Sequence, residues 1–168
     1  MNTKLPYFII AIVVLLADQL TKAWATAKLQ FMDLMTMEII PNFFRFTYAR
    51  NRGVAFSLFA DSQFETKWIL AGVSTVAAIG VGVYLFRSSA AEKRLNYALS
   101  FLLAGIVGNL IDRVRLGEVV DFIDFHWYEK YTWPTFNIAD AAICAGAALL
   151  ALEMMREQKV AQAQTTES

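Results

Sequence analysis

The sequence predicts a mainly α-helical integral membrane protein: four transmembrane helices, a small outer β-sheet and a short outer helix or lid. Three observations carry that prediction. Of 168 residues, 57% are hydrophobic and only 18% charged, with a mean hydropathy of +0.43; a soluble domain usually carries about 25% charge. Apolar stretches able to cross roughly 30 Å of hydrocarbon recur at about residues 5–24, 68–86, 95–112 and 136–153. Basic residues gather beside one set of their ends. Residues 1–168 therefore read as one membrane-embedded domain, with 154–168 a polar, frayed tail. Fifteen basic residues balance fifteen acidic ones, so no basic surface is available for nucleic acid. A single cysteine, Cys144, and a single histidine, His126, leave no internal disulfide and no Cys/His metal cluster. No cofactor and no metal are expected.

The first span runs uncharged as far as Ala17 and then meets Asp18, Gln19, Thr21 and Lys22. Lys4 followed by an apolar run and Ala25-Thr26-Ala27 has the outline of a cleavable leader. The polar residues between that run and Ala25 fit a retained helix better. Residues 38–48 come next, where Phe44, Phe46 and Tyr48 alternate with Arg45 and Thr47, a strand-like period of two. Pro41 keeps the start of that segment out of a central strand. Asn51-Arg52-Gly53 reads as a turn, Val54-Ala55-Phe56 as a small apolar insertion towards the membrane, and 58–65 as a movable cover. The second span, 68–86, has only Ser74, Thr75 and Tyr84 as polar groups, and the third ends at Asp112. Residues 117–125 are β-branched and aromatic, hence a second strand region. Trp127, Tyr128, Tyr131 and Trp133 then suit the headgroup level. The last span carries Asn137, Asp140 and Cys144. Arg87, Lys93 and Arg94 crowd one short connection, and Lys4, Arg156 and Lys159 flank the termini. The positive-inside rule thus puts both termini in the cytoplasm and the long connections outside.

Acids in spans are expensive, about 2.5–3.5 kcal/mol each at a helix centre. In this topology Asp18, Asp112, Asp121 and Asp140 all come to the outer end. Asn109, Asp112 and Arg113 share one helix face by their spacing, as do Asn137 and Asp140. Asp18 and Lys22, four apart, read as a mutually neutralising pair, and Asp112 with Arg113 as a helix-end clamp on the outer sheet. Asp124 is expected to be solvated, His126 to pack at the interface and Cys144 to be a small packing group. Asp33, Asp61 and Glu65 read as outer-loop charges. No GxSxG motif is present, and Ser57 has no evident base. Two close carboxylates can share one proton and act on water as acid and base. Asp121 and Asp140 are the pair most easily brought together. A transporter or channel spreads polar groups through the midplane, often in two related halves, unlike this one-ended cluster. A non-catalytic membrane subunit would leave the cluster without a purpose.

Five segments resemble the lipoprotein signal peptidases (signal peptidase II), bacterial inner-membrane aspartic proteases. They are Asp18-Gln19-Leu20-Thr21-Lys22, Asn51-Arg52-Gly53-Val54-Ala55-Phe56-Ser57, Gly108-Asn109-Leu110-Ile111-Asp112-Arg113, Val119-Val120-Asp121-Phe122-Ile123 and Phe136-Asn137-Ile138-Ala139-Asp140. The resemblance implies a catalytic dyad of Asp121 and Asp140. Asn51, Gly53, Asn109, Asp112, Arg113 and Asn137 would line or brace it, with Asp18 a structurally important acid. The implied substrate is a diacylglyceryl-modified prolipoprotein, cut on the N-terminal side of its lipidated cysteine at a site facing the periplasm. The implied partners are that substrate and membrane lipid, with no nucleic acid, and the chain is expected to be a monomer.

Overall fold

The computed structural model describes residues 3–53, 63–128 and 130–166. Its first helix, α1 (Leu5–Leu29), starts with a proline in its first turn and has Lys28 in its last, suiting proline's fixed φ and the negative end of the helix dipole. Tyr7, Ala11, Asp18, Lys22, Ala25 and Leu29 form its buried stripe, at helical spacing. Ile9, Ile12, Val13, Leu16 and Leu20 on the other side are exposed. Charges inside and aliphatic groups outside are what a hydrocarbon solvent requires. Ala25, once a possible cleavage point, is fully buried here.

A 3-10 turn (Asp33–Met35) leads into β1 (Thr36–Ile40) and β2 (Phe44–Asn51). Pro41 falls in the turn between these strands, where its missing N–H costs nothing. Helix α2 (Gln63–Arg87) follows, then α3 (Lys93–Leu116), β3 (Val119–Trp127), the short β4 (Tyr131–Thr132) and α4 (Ile138–Thr166). All four helices contain a stretch long and apolar enough to span a bilayer. The sheet is antiparallel in the order β1-β2-β3-β4, with a register shift in β2 between Phe46 and Ala49.

Helix α3 is the hub, packing against each of the other three. Small residues allow its approach to α4: a side chain at Gly105 would strike Ala139 Oand Ile143, and one at Gly146 would strike Ala98 O at 2.8 Å. Without a hydrophobic drive between helices in lipid, such backbone closeness supplies the packing energy. Tyr7, Leu85, Leu95 and Leu99 form an apolar cluster at the end of the bundle away from the sheet. Beside it Lys4 Nζ donates to Ser88 Oγ at 2.6 Å and to Asn96 Oδ1 at 2.7 Å. The buried Asn96 also donates to Ser89 O at 2.8 Å. At the opposite end Ala25, Leu29 and Phe122 make a second core under the sheet.

Three expectations change. The polar end is helical to Thr166 rather than frayed, because Ala, Glu, Arg, Gln and Lys are strong helix formers. Cys144 is exposed rather than packed, on a face of α4 turned outward. Asp124 is buried rather than solvated: the β2–β3 register sets it opposite Arg45, whose Nε donates at 2.6 Å, and Thr47 adds a bond at 3.1 Å. His126, expected to pack, is buried in β3. The Val54-Ala55-Phe56 insertion and most of the 58–65 cover lie outside the described residues; residues 63–65 begin α2.

Candidate active site

The ends of α1, α3 and α4 nearest the sheet meet under β2 and β3, bringing together Asp18, Asn51, Asn109, Asp112, Asp121, Asn137 and Asp140. Helix α3 delivers Asn109, Asp112 and Arg113 on one face. It then stops at Gly117, whose left-handed φ of 85° and N–H bond to Arg113 O (3.1 Å) close the helix. Glycine meets that conformation without strain. The chain turns into β3, which carries Asp121. Strand β3 also bonds Phe136 through both its N–H and its carbonyl, so the entry to α4 is fastened beside it.

Asn137 caps α4. Its Oδ1 accepts the Asp140 N–H at 2.8 Å, and Asp140 Oδ2 accepts the Asn137 N–H at 3.3 Å. This reciprocal pattern is a capping box. The same Asn137 sends its Nδ2 to Asp121 Oδ1 at 2.6 Å. One buried asparagine therefore touches both carboxylates. Asp121 Oδ2 accepts a second bond, from Asn51 Nδ2 at 3.0 Å, while Asn51 Oδ1 takes the Gly53 N–H at 2.8 Å. Gly53 holds a φ of 74°, the turn read from the sequence. Arg50 and Arg52 on either side of Asn51 both pair with the buried Glu118, which pins that stretch in place. Asp140 Oδ1 accepts from Asn109 Nδ2 at 2.7 Å. Arg113 lies within electrostatic reach of Asp140, Asp112 and Asp121 and donates to Ser74 Oγ at 3.5 Å.

Burial pushes the Asp121 carboxyl up to about 6. The Asn51 bond opposes that, the neighbouring Asp140 charge adds to it, and the Asn137 bond and Lys22 oppose it in turn. A buried acid next to a second acid retains a proton towards neutral pH. Asp140 is half-buried where Asp121 is buried.

Asp18 sits behind this pair. Its Oδ1 accepts the Ala139 N–H at 2.8 Å, docking the first turn of α4 on α1, and its Oδ2 meets Lys22 Nζ at 2.9 Å. The expected Asp18–Lys22 pair is present. Asp112 Oδ2 takes the Val120 N–H at 3.2 Å, so Asp112 does hold the sheet to α3. Sequence reasoning missed Gln19, which donates to Asp18, Gly108 O and Asp112 at 3.1–3.2 Å, and also Glu118. Gln19 gave a signal in its position between the span and Lys22. Glu118 gave none, because its partners come from β2 and the turn that follows it.

The sequence profile of the family described as Signal peptidase (SPase) II matches residues 10–156. A lipoprotein signal peptidase of Pseudomonas aeruginosa is 41% identical over 160 residues, covering 95% of this chain and 94% of its own. One from Geobacter sulfurreducens is 44% identical over 147 residues, covering 86% and 88%. A bacterial membrane enzyme solved by the in meso method at 2.3 Å superposes with a TM-score of 0.76. It shares 30% identity and covers 91% of this chain and 89% of its own.

Proposed function

The chain belongs to the signal peptidase II family, and from that premise we propose that it removes the signal peptide of diacylglyceryl-modified prolipoproteins. Membership makes it a membrane-embedded peptidase. The proposed cut falls on the N-terminal side of the lipidated cysteine, in the bacterial inner membrane, at a site facing the periplasm. Asp121 and Asp140 form the aspartic dyad. One ionised carboxylate takes a proton from water as the oxygen attacks the scissile carbonyl. The protonated partner hydrogen-bonds the carbonyl oxygen, and a proton then passes to the departing amide nitrogen as the C–N bond breaks. No covalent intermediate with the enzyme is required, and the pair titrates as a unit.

The observation that carries this reading is Asn137, which bonds both carboxylates at once and holds them at one place. Asn51 and Asn109 each add one donor to one carboxylate. Arg113 supplies positive charge beside them for the substrate backbone. The lipid-exposed flanks of the helices let a signal-peptide helix lie alongside while its acyl chains stay in the bilayer.

The test is cleavage of a diacylglyceryl-modified prolipoprotein by the purified protein beside Asp121→Asn and Asp140→Asn. Asparagine keeps the shape and cannot ionise. The wild type is expected to cut before the lipidated cysteine, with turnover lower by about 10²–10⁴-fold in each folded variant. Near-normal turnover in either variant removes that residue from the dyad.

A further inference from the structure

Lys22 is almost wholly buried, 3% exposed, in a helix that faces lipid. The pair with Asp18 explains only part of its environment. A lysine ammonium has three donors and no acceptor. Here three oxygens surround it, each at 2.9 Å: Asp18 Oδ2, Asp112 Oδ2 and Asn109 Oδ1. Each of the three leads to the two aspartates of the site. Asn109 reaches the Asp140 side chain itself, at 2.7 Å. Asp18 holds the backbone N–H of Ala139, the residue before Asp140. Asp112 holds the backbone N–H of Val120, the residue before Asp121.

We infer that Lys22 is a positioning residue for the dyad, and that its ammonium fixes the amide of Asn109 with its N–H towards Asp140. An asparagine amide can flip, exchanging its acceptor for its donors. Beside an ammonium only one orientation is favourable, because the other points N–H groups at a cation. Oδ1 therefore faces Lys22, and the donor is left facing the carboxylate. Asn137 Nδ2 at 3.3 Å from the same Oδ1 favours the same orientation. A pair serving only to neutralise Asp18 would need neither the Asn109 contact nor the Asp112 contact.

The inference rests on the peptidase reading for its kinetic test, so the test carries a second readout. The full-length protein is assayed as wild type, Lys22→Met, Lys22→Arg, Asn109→Leu and the Lys22→Met/Asn109→Leu double variant. Turnover is taken per folded molecule, and Asp121→Asn serves as the inactive control. Lys22→Met is expected to lower kcat by about 10²-fold, the scale of a small misplacement at a reacting centre, with KM within about two-fold. The double variant is expected to be no slower than Asn109→Leu alone, since residues acting through one another are not additive. Strictly additive losses, or a normal kcat in folded Lys22→Met, overturn the inference.

Lys22→Arg retains the charge where Lys22→Met fails to fold, but a planar fork cannot satisfy three separate acceptors as a point charge does. Its kcat is expected to fall at least about ten-fold, and wild-type turnover overturns the inference. Independently of turnover, carbon-13 titration of the aspartate carboxyls reads the site directly. The charged groups facing it are Asp18 and Lys22 from α1, Asp112 and Arg113 from α3, Asp121 from β3 and Asp140 from α4. Lys22→Arg is expected to displace the dyad's titration, and an unchanged titration overturns the inference. An inert wild type with a displaced titration would sink the peptidase reading and leave the Lys22 assignment standing.

Discussion

At Asp121, the proposed function and stability oppose one another. Burial raises its carboxyl from 3.8 to about 6, so the folded state binds a proton that the unfolded state has already released. Stability linked to this group is present below about pH 4 and is lost as pH rises through 6. About two units correspond to about 3 kcal/mol, less about 1 kcal/mol if one amide bond is lost in an asparagine replacement. Asp121→Asn is therefore expected to melt higher than wild type at pH 7, with the gap closing towards pH 4. Melting in detergent across that range checks it, and a variant less stable at pH 7 contradicts it. That Asp121 and Asp140 would come to one place was legible from their positions in the loop and at the start of the last helix. The asparagines that support them were legible only in part, because Asn51 gains its role from a sheet register and Asn137 from being a helix cap and a donor together.

Helix packing sets the next level of constraint. A methyl at Gly108 would sit 2.6 Å from Asp18 Oδ2 and 3.2 Å from the Ala139 side chain. Gly108→Ala is expected to cost about 1–3 kcal/mol through overpacking and to lower turnover as well, since it pushes Asp18 away from the turn that bears Asp140. At the end away from the sheet, Asn96→Leu removes the Oδ1 that accepts from Lys4 and Ser88 and the Nδ2 that donates to Ser89 O. The expected loss is about 1–3 kcal/mol of stability, with turnover per folded molecule unchanged; a fall in turnover would mean that this end reaches the site. The four spans were legible as apolar runs, because lipid solvation writes itself into composition. Their ends were not. α1 continues to Leu29 and α4 to Thr166, since alanine, lysine, glutamate and glutamine propagate a helix past the point where hydropathy stops. Strand pairing was foreseen for 38–48 and 117–125, but the shift at Phe46/Ala49 depends on partners distant in sequence.

Across the whole molecule, polarity is sorted by depth. The aspartates of the site lie at one end of the bundle, together with the sheet and with Trp24, Trp68, Trp127 and Trp133, which are 39–68% exposed. Those are all four tryptophans of the chain. Tryptophan prefers the headgroup level, so bromines placed high on the lipid chains are expected to quench the fluorescence more than bromines at the bilayer centre. Equal quenching at both depths would contradict this placement. That the acids would gather at one end followed from counting spans. That Lys22 would bond Asn109 and Asp112 besides Asp18 did not, because those contacts cross from α1 to α3.

The Asp18–Lys22 pair also bears on how the chain is made. Asp112 and Ala139, which these two charges finally contact, lie about a hundred residues further along, so α1 enters the bilayer before either exists. Four-residue spacing gives each charge an opposite neighbour one turn away from the moment the helix forms. The early segment can thus wait in lipid with its charges matched, then exchange a self-contained pair for a shared cluster. Because one of those contacts comes from the first turn of α4, the proposed site is not assembled until that turn has been made.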